Sequence, residues 1–258
     1  MIDTHCHLTF DGLYSRVSEV LSAARKAGVD RWITVATDPI DADRALDLAD
    51  RFEGVYVAVG VHPHEATNWS DPKKLIDQLS IAADHDKVVA MGEMGLDLHY
   101  PQPPFEAQER LFAWQLDWAQ ERVQLPIIIH NRSATDRTIQ MIERSGVAGE
   151  RFVFHCFTGD ADELQSVLDL GSMVSFTGIV TFGNAVSLAE ISDQVPMERL
   201  MVETDSPYLT PEPHRKVRPN EPRHVLDVAR FLADRRALAL EEFIARVDAN
   251  ARRFFQLC

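Results

Sequence analysis

The chain has 258 residues, 45% of them apolar and 26% charged, which is the composition of a globular protein with enough apolar material for one large core. Collagen-like repeats, bulk disorder and a disulfide scaffold are excluded. Its 26 basic and 40 acidic side chains leave a formal net charge of −14, which excludes a nonspecific grip on nucleic acid along the whole surface, so a polyanionic substrate must meet a local reversal of charge.

In chain order, short β-branched runs alternate with longer segments of helical period, the signature of βαβ units and a parallel sheet. Strands are predicted at 1–3, 31–36, 55–59, 88–91, 126–129, 151–154, 172–176 and 200–202. Helices are predicted near 15–27, 41–51, 72–85, 104–122, 134–145, 160–170, 185–194 and 222–234, with a last one at 239–255. Asp160 and Ser133 stand where N-caps are expected, because their side-chain oxygens can accept the free N–H groups of a first helical turn. Eight strand-then-helix units in about 250 residues have the length and order of a (β/α)8 TIM barrel, here with a C-terminal helix. Neither a linker nor a low-complexity tract divides the chain, so one domain over 1–258 is expected.

Cys6, Cys156 and Cys258 are too few and too scattered for a disulfide framework, and a reducing compartment fits them. No basic segment followed by an apolar stretch opens the chain. Apolar runs such as 55–61 fall far short of the roughly 20 residues of a membrane span. The expectation is a soluble, cytoplasmic protein with no obligate protein partner.

Six of the ten histidines follow the end of a predicted strand: His5, His7, His62, His64, His130 and His155. Barrel strands all point their C-terminal ends at one mouth, so these imidazoles gather there with Glu93 after strand four and Asp205 after strand eight. An isolated His5-Cys6-His7 pair reads equally well as two chance histidines in a loop, since short motifs are only hypotheses. Residues two apart on a strand also point the same way and can bind one ion. With Glu93, His130, His155 and Asp205 on the same rim, a metal reading prevails, and nitrogen-plus-carboxylate ligation suits divalent ions such as zinc or manganese. Asp97 and Glu203 are placed to orient ligand histidines, although Asp97 reads about as well as a cap or turn residue. Gly92 and Gly95 fit a sharply bent backbone.

Six segments in order, Asp3-Thr4-His5-Cys6-His7-Leu8, Gly60-Val61-His62-Pro63-His64, Gly92-Glu93-Met94-Gly95-Leu96-Asp97, Ile129-His130-Asn131-Arg132, His155-Cys156-Phe157-Thr158-Gly159 and Glu203-Thr204-Asp205-Ser206-Pro207-Tyr208-Leu209, make the chain resemble the TatD-type metal-dependent deoxyribonucleases of the amidohydrolase-like barrels. The resemblance implies a DNA-directed phosphodiesterase with two divalent ions, of zinc, manganese or magnesium. It assigns one ion to His5, His7, Glu93 and Asp205 and the second to Glu93, His130 and His155, so that Glu93 bridges. Asp205 is expected to act as general base, and His62 and His64 to contact the substrate phosphate or to fix neighbouring carboxylates. The basic segment 214–222 resembles the family's Arg-Gly-Lys-Arg-Asn-Glu-Pro stretch but lacks its Gly and is one residue longer; a solvated charged loop is the bland reading of such a run. Arg132, Arg215 and Arg218 are expected to bind phosphates. At a net charge of −14, contact with DNA should be confined to a strand end or a single-stranded segment, which favours exonuclease action. Rival readings are a small-molecule ester or amide hydrolase on the same ions, aminoacyl-tRNA ester hydrolysis included, and a noncatalytic metal-binding barrel.

Overall fold

A computed structural model describes residues 1–257. Its eight strands, β1 (Ile2–Cys6), β2 (Arg31–Val35), β3 (Val55–Val59), β4 (Val88–Asp97), β5 (Ile127–Arg132), β6 (Phe152–Phe154), β7 (Met173–Phe176) and β8 (Leu200–Val202), pair in parallel, each with the next. Helices lie between them: α1 (Asp11–Tyr14), α2 (Val17–Lys26), α3 (Pro39–Arg51), α4 (Pro72–Ala83), α5 (Phe105–Glu121), α6 (Thr135–Ser145), α7 (Ala161–Asp169) and α8 (Val186–Gln194). After β8 come α9 (Val225–Arg235) and α10 (Leu240–Phe255). This is the expected (β/α)8 barrel. No helix among the described residues is long and apolar enough to cross a membrane.

Every strand contributes to one inner apolar layer, formed by Ile2, Ile33, Val35, Ala58, Ala90, Ile128, Val153, Met173 and Met201. Ala251, Phe255 and Leu257 pack onto this layer and plug the end of the barrel opposite the mouth. Neighbouring strand residues such as Trp32, Val57, Ile127, Phe152 and Val174 belong to the second apolar layer, against the helices. Alternation of side chains along each strand produces both layers from one sequence.

The barrel closes between β1 and the chain just after β8. Thr4 Oγ1 donates to the Val202 carbonyl at 2.9 Å, Asp205 N to the His5 carbonyl at 2.9 Å and His7 N to the Ser206 carbonyl at 2.7 Å. Asp3, buried in β1, accepts from Thr204 N at 2.8 Å and from Thr204 Oγ1 at 2.6 Å. The seam thus brings Asp205 beside His5 and His7.

Two expectations are corrected. β4 and β5 run on to Asp97 and Arg132, well past the predicted strand ends, because Gly92 and Gly95 take φ of 119° and 144° within a bulged ladder. A Cβ would meet the Ile128 carbonyl oxygen at 2.5 Å from Gly92 and the His130 carbonyl oxygen at 2.0 Å from Gly95. Ser133 does not cap α6: its φ is 55°, and the cap position falls on Ala134 with no side-chain bond. Asp160 does cap α7, in a reciprocal box with Glu163. Cys6 and Cys156 are unpaired thiols, and Cys258 lies outside the described residues.

Candidate metal centre

Glu93 stands at the centre of the mouth, 2% exposed, with imidazoles on both sides. On one side, its Oε2 lies 3.4 Å from His5 Nε2, which is 3.4 Å from His7 Nε2. Asp205 Oδ1 lies 3.4 Å from His7 Nε2 and 3.9 Å from His5 Nε2. Bonds of about 2.0–2.2 Å to one tetrahedral ion place its ligands about 3.3–3.6 Å apart; three of these separations match and the one between Asp205 and His5 is longer. On the other side, Glu93 Oε1 lies 2.7 Å from His130 Nδ1 and 2.6 Å from His155 Nε2, with His62 Nε2 at 3.7 Å. The His5 and His155 rings stack at 4.0 Å, so the two sides form one cluster.

The remaining ring nitrogens sort the histidines. His7 Nδ1 donates to the Val35 carbonyl at 2.9 Å, His155 Nδ1 to Glu203 at 3.2 Å, and His130 Nε2 to Asp97 at 3.1 Å. Each bond frees the opposite nitrogen to face the cluster as a ligand, the usual support of a metal-bound histidine. His62 is wired the other way: its Nδ1 accepts from the His64 backbone N–H at 3.1 Å, so the neutral ring carries its proton on Nε2 and faces Glu93 as a donor. His64 Nε2 lies 3.0 Å from Asp97 Oδ2.

Charge follows from this wiring. Burial disfavours ionised Glu93, yet His155 and His130 outweigh it and hold the carboxyl well below its usual range. Burial likewise opposes protonation of His155, and Glu93 and Glu203 carry it well above the ordinary histidine value. Desolvation opposes protonation of His7 too, and Asp205 and Glu93 raise it to about 9. His5 and His62 are pulled down by burial and are neutral. Protons shared between imidazoles and Glu93 thus supply positive charge that divalent cations would supply in their place. The fully buried His5 Nδ1 has no partner, and its neutral ring presents Nε2 to two carboxylates, an arrangement completed by a cation. The donor set fits divalent metal.

Above the cluster opens a cavity of about 1360 Å³, lined by His62, His64, Asp205 and Arg132 among others. Arg215 and Arg218 are not among its lining residues. The Arg215 guanidinium lies over the Phe182 ring at 3.6 Å, and Arg218 Nη1 donates to Thr210 Oγ1 at 2.9 Å and to the Arg215 and Val217 carbonyls at 2.8 Å each. Asp97 and Glu203 do orient histidines; Glu203 also accepts from Cys156 N at 2.7 Å and Ser175 Oγ at 2.6 Å. Sequence reasoning missed Asp3 as the clasp of the seam, although its place two residues before His5 on one strand was the available signal. Burial pushes the Asp3 carboxyl up to about 8, against the two bonds from Thr204. It also missed the aromatic side chains at the mouth.

The family model described as TatD related DNase matches residues 2–256. The metal-dependent hydrolase YabD of Bacillus subtilis is 36% identical over 258 residues, covering 100% of this chain and 99% of that protein. The protein named 3'-5' ssDNA/RNA exonuclease TatD of Klebsiella pneumoniae is 32% identical over 259 residues, covering 99% and 97%. The crystal structure of YJJV, a TatD homolog from Escherichia coli, superposes with a TM-score of 0.92 at 30% identity, covering 100% of this chain and 98% of that one. A match of this extent, on a barrel whose mouth gathers histidines and carboxylates, places the chain in the TatD-related family of metal-dependent hydrolases.

Proposed function

We propose that the protein is a two-metal phosphodiesterase that removes nucleotides from single-stranded ends of DNA. The observation that carries this reading is Glu93, whose two carboxylate oxygens face two separate sets of imidazole nitrogens, as a carboxylate shared between paired ions must. His5, His7, Glu93 and Asp205 would hold one ion; Glu93, His130 and His155 would hold the other. When bound, such ions supply Lewis acidity, which acidifies the attacking water and offsets charge developing on the phosphate.

The protein's own groups do the rest. Asp205, whose other neighbours are His5 and His7, accepts the proton of the attacking water. His62 Nε2–H donates to a phosphate oxygen, the role its tautomer allows. Arg132 lines the mouth and pairs with a neighbouring phosphate, while Arg215 and Arg218 brace the loop after β8. A cavity of about 1360 Å³ exceeds the roughly 300–1000 Å³ typical of small-ligand pockets and suits a polymer end better than a small ester or amide. The relatives named as 3'-5' ssDNA/RNA exonucleases support the same substrate class and admit RNA beside DNA.

The test is a metal-stripped enzyme assayed on single-stranded DNA, duplex DNA, RNA and simple esters as each divalent ion is returned. Hydrolysis of single strands in excess of duplex and ester is expected. Ester or amide turnover without nuclease activity would replace this reading with the small-molecule hydrolase.

A further inference from the structure

Of the large apolar and aromatic side chains exposed among the described residues, three are aromatic: Phe10 at 43%, Tyr100 at 48% and Tyr208 at 54%. All three line the cavity above Glu93. Scattered exposed aliphatics need no explanation, but exposed aromatic rings confined to one cavity indicate a ligand with flat apolar faces. We propose that these rings form two stacking platforms for unpaired bases on either side of the scissile phosphate, an inference that rests on the nuclease reading above.

The first platform pairs Tyr208 with Phe10, edge to face at 6.1 Å, and Tyr208 also lies 6.5 Å from the His7 ring. Its backbone is clamped: Tyr208 N donates to the Asp205 carbonyl at 2.9 Å, and Asn220 Nδ2 donates to the Tyr208 carbonyl at 2.6 Å. The backbone that carries the ring is therefore held in fixed relation to Asp205. The second platform is Tyr100, 5.4 Å from the His64 ring and 5.2 Å below the Arg132 guanidinium. Arg132 can thus meet a phosphate while Tyr100 meets the adjoining base. Every base has a π face, so such platforms grip a strand without reading its sequence. A duplex hides those faces, and the platforms select for unpaired nucleotides.

The probe is a short single-stranded oligodeoxynucleotide with phosphorothioate linkages, carrying a fluorescent adenine analogue whose emission falls on stacking, added to metal-loaded protein. An unmodified oligonucleotide reports cleavage in parallel. Wild type is expected to quench the probe. Tyr208→Ala and Tyr100→Ala should each lose quenching and raise KM roughly 5- to 150-fold, with kcat changed less. Tyr208→Phe should restore both readouts, and Tyr208→Ala should keep the wild-type salt slope because the ring neutralises no phosphate. Unchanged quenching in both alanine variants, or a Phe variant as impaired as Ala, would overturn the platforms. Quenching without cleavage of any strand would instead overturn the nuclease reading and leave the platforms standing.

Discussion

Asp205 is the residue in which the proposed ligand and base roles can be separated. Its carboxyl is held below the usual range because the bond to His7 outweighs the effect of burial, so it is ionised and able to accept a proton. Asp205→Asn keeps a carbonyl oxygen for the ion but no site for the water's proton. Turnover is expected to fall about 10²- to 10⁴-fold while bound metal, measured on the same sample, changes far less. Near-normal turnover with metal present would assign the base elsewhere. The residues that gather were legible at this scale, since His5, His7, Glu93, His130, His155 and Asp205 all fall at or just beyond predicted strand ends and all meet around Glu93. The wiring was not. His5-x-His7 and His62-x-His64 have the same spacing, yet His7 is anchored by a carbonyl acceptor from β2 and His62 by a backbone donor two residues ahead. The partner of His7 lies on another strand, 28 residues away, which the local spacing does not record.

Elements carry these residues to the centre. Strand order and the helix faces were readable from hydrophobic period, but the true ends of β4 and β5 were not, because a glycine-rich stretch reads as a turn whether it bends away from a sheet or bulges within it. Only the close approach of the β5 carbonyls distinguishes the two. Substituting Gly95 tests this: with φ of 144° and the His130 carbonyl oxygen 2.0 Å from the new methyl, Gly95→Ala should cost at least about 2 kcal/mol of stability and displace His130. Gly28→Ala is the control, since φ is 92° there and no atom lies within 4 Å, so backbone strain alone applies. Its cost should be about 1 kcal/mol, with activity retained. Chemical denaturation of both variants makes the comparison, and equal costs would show that the packed bulge does not constrain the ladder.

At the scale of the whole molecule, the two ends of the barrel divide their work. The mouth concentrates histidines and carboxylates, and the opposite end is plugged by α10 through Phe255, 2% exposed. Phe255→Ala should therefore lower the unfolding free energy by about 3–5 kcal/mol and leave the metal content of the folded protein unchanged; a loss of metal at full occupancy of the folded state would couple the two ends. The shared carboxylate remains the central claim, and the number of divalent ions bound per chain tests it most directly. Two ions are expected in the wild type, one each in His130→Ala and His155→Ala, and two in His62→Ala, whose ring faces Glu93 as a donor. Loss of an ion from His62→Ala, or full occupancy in both His130→Ala and His155→Ala, would contradict it.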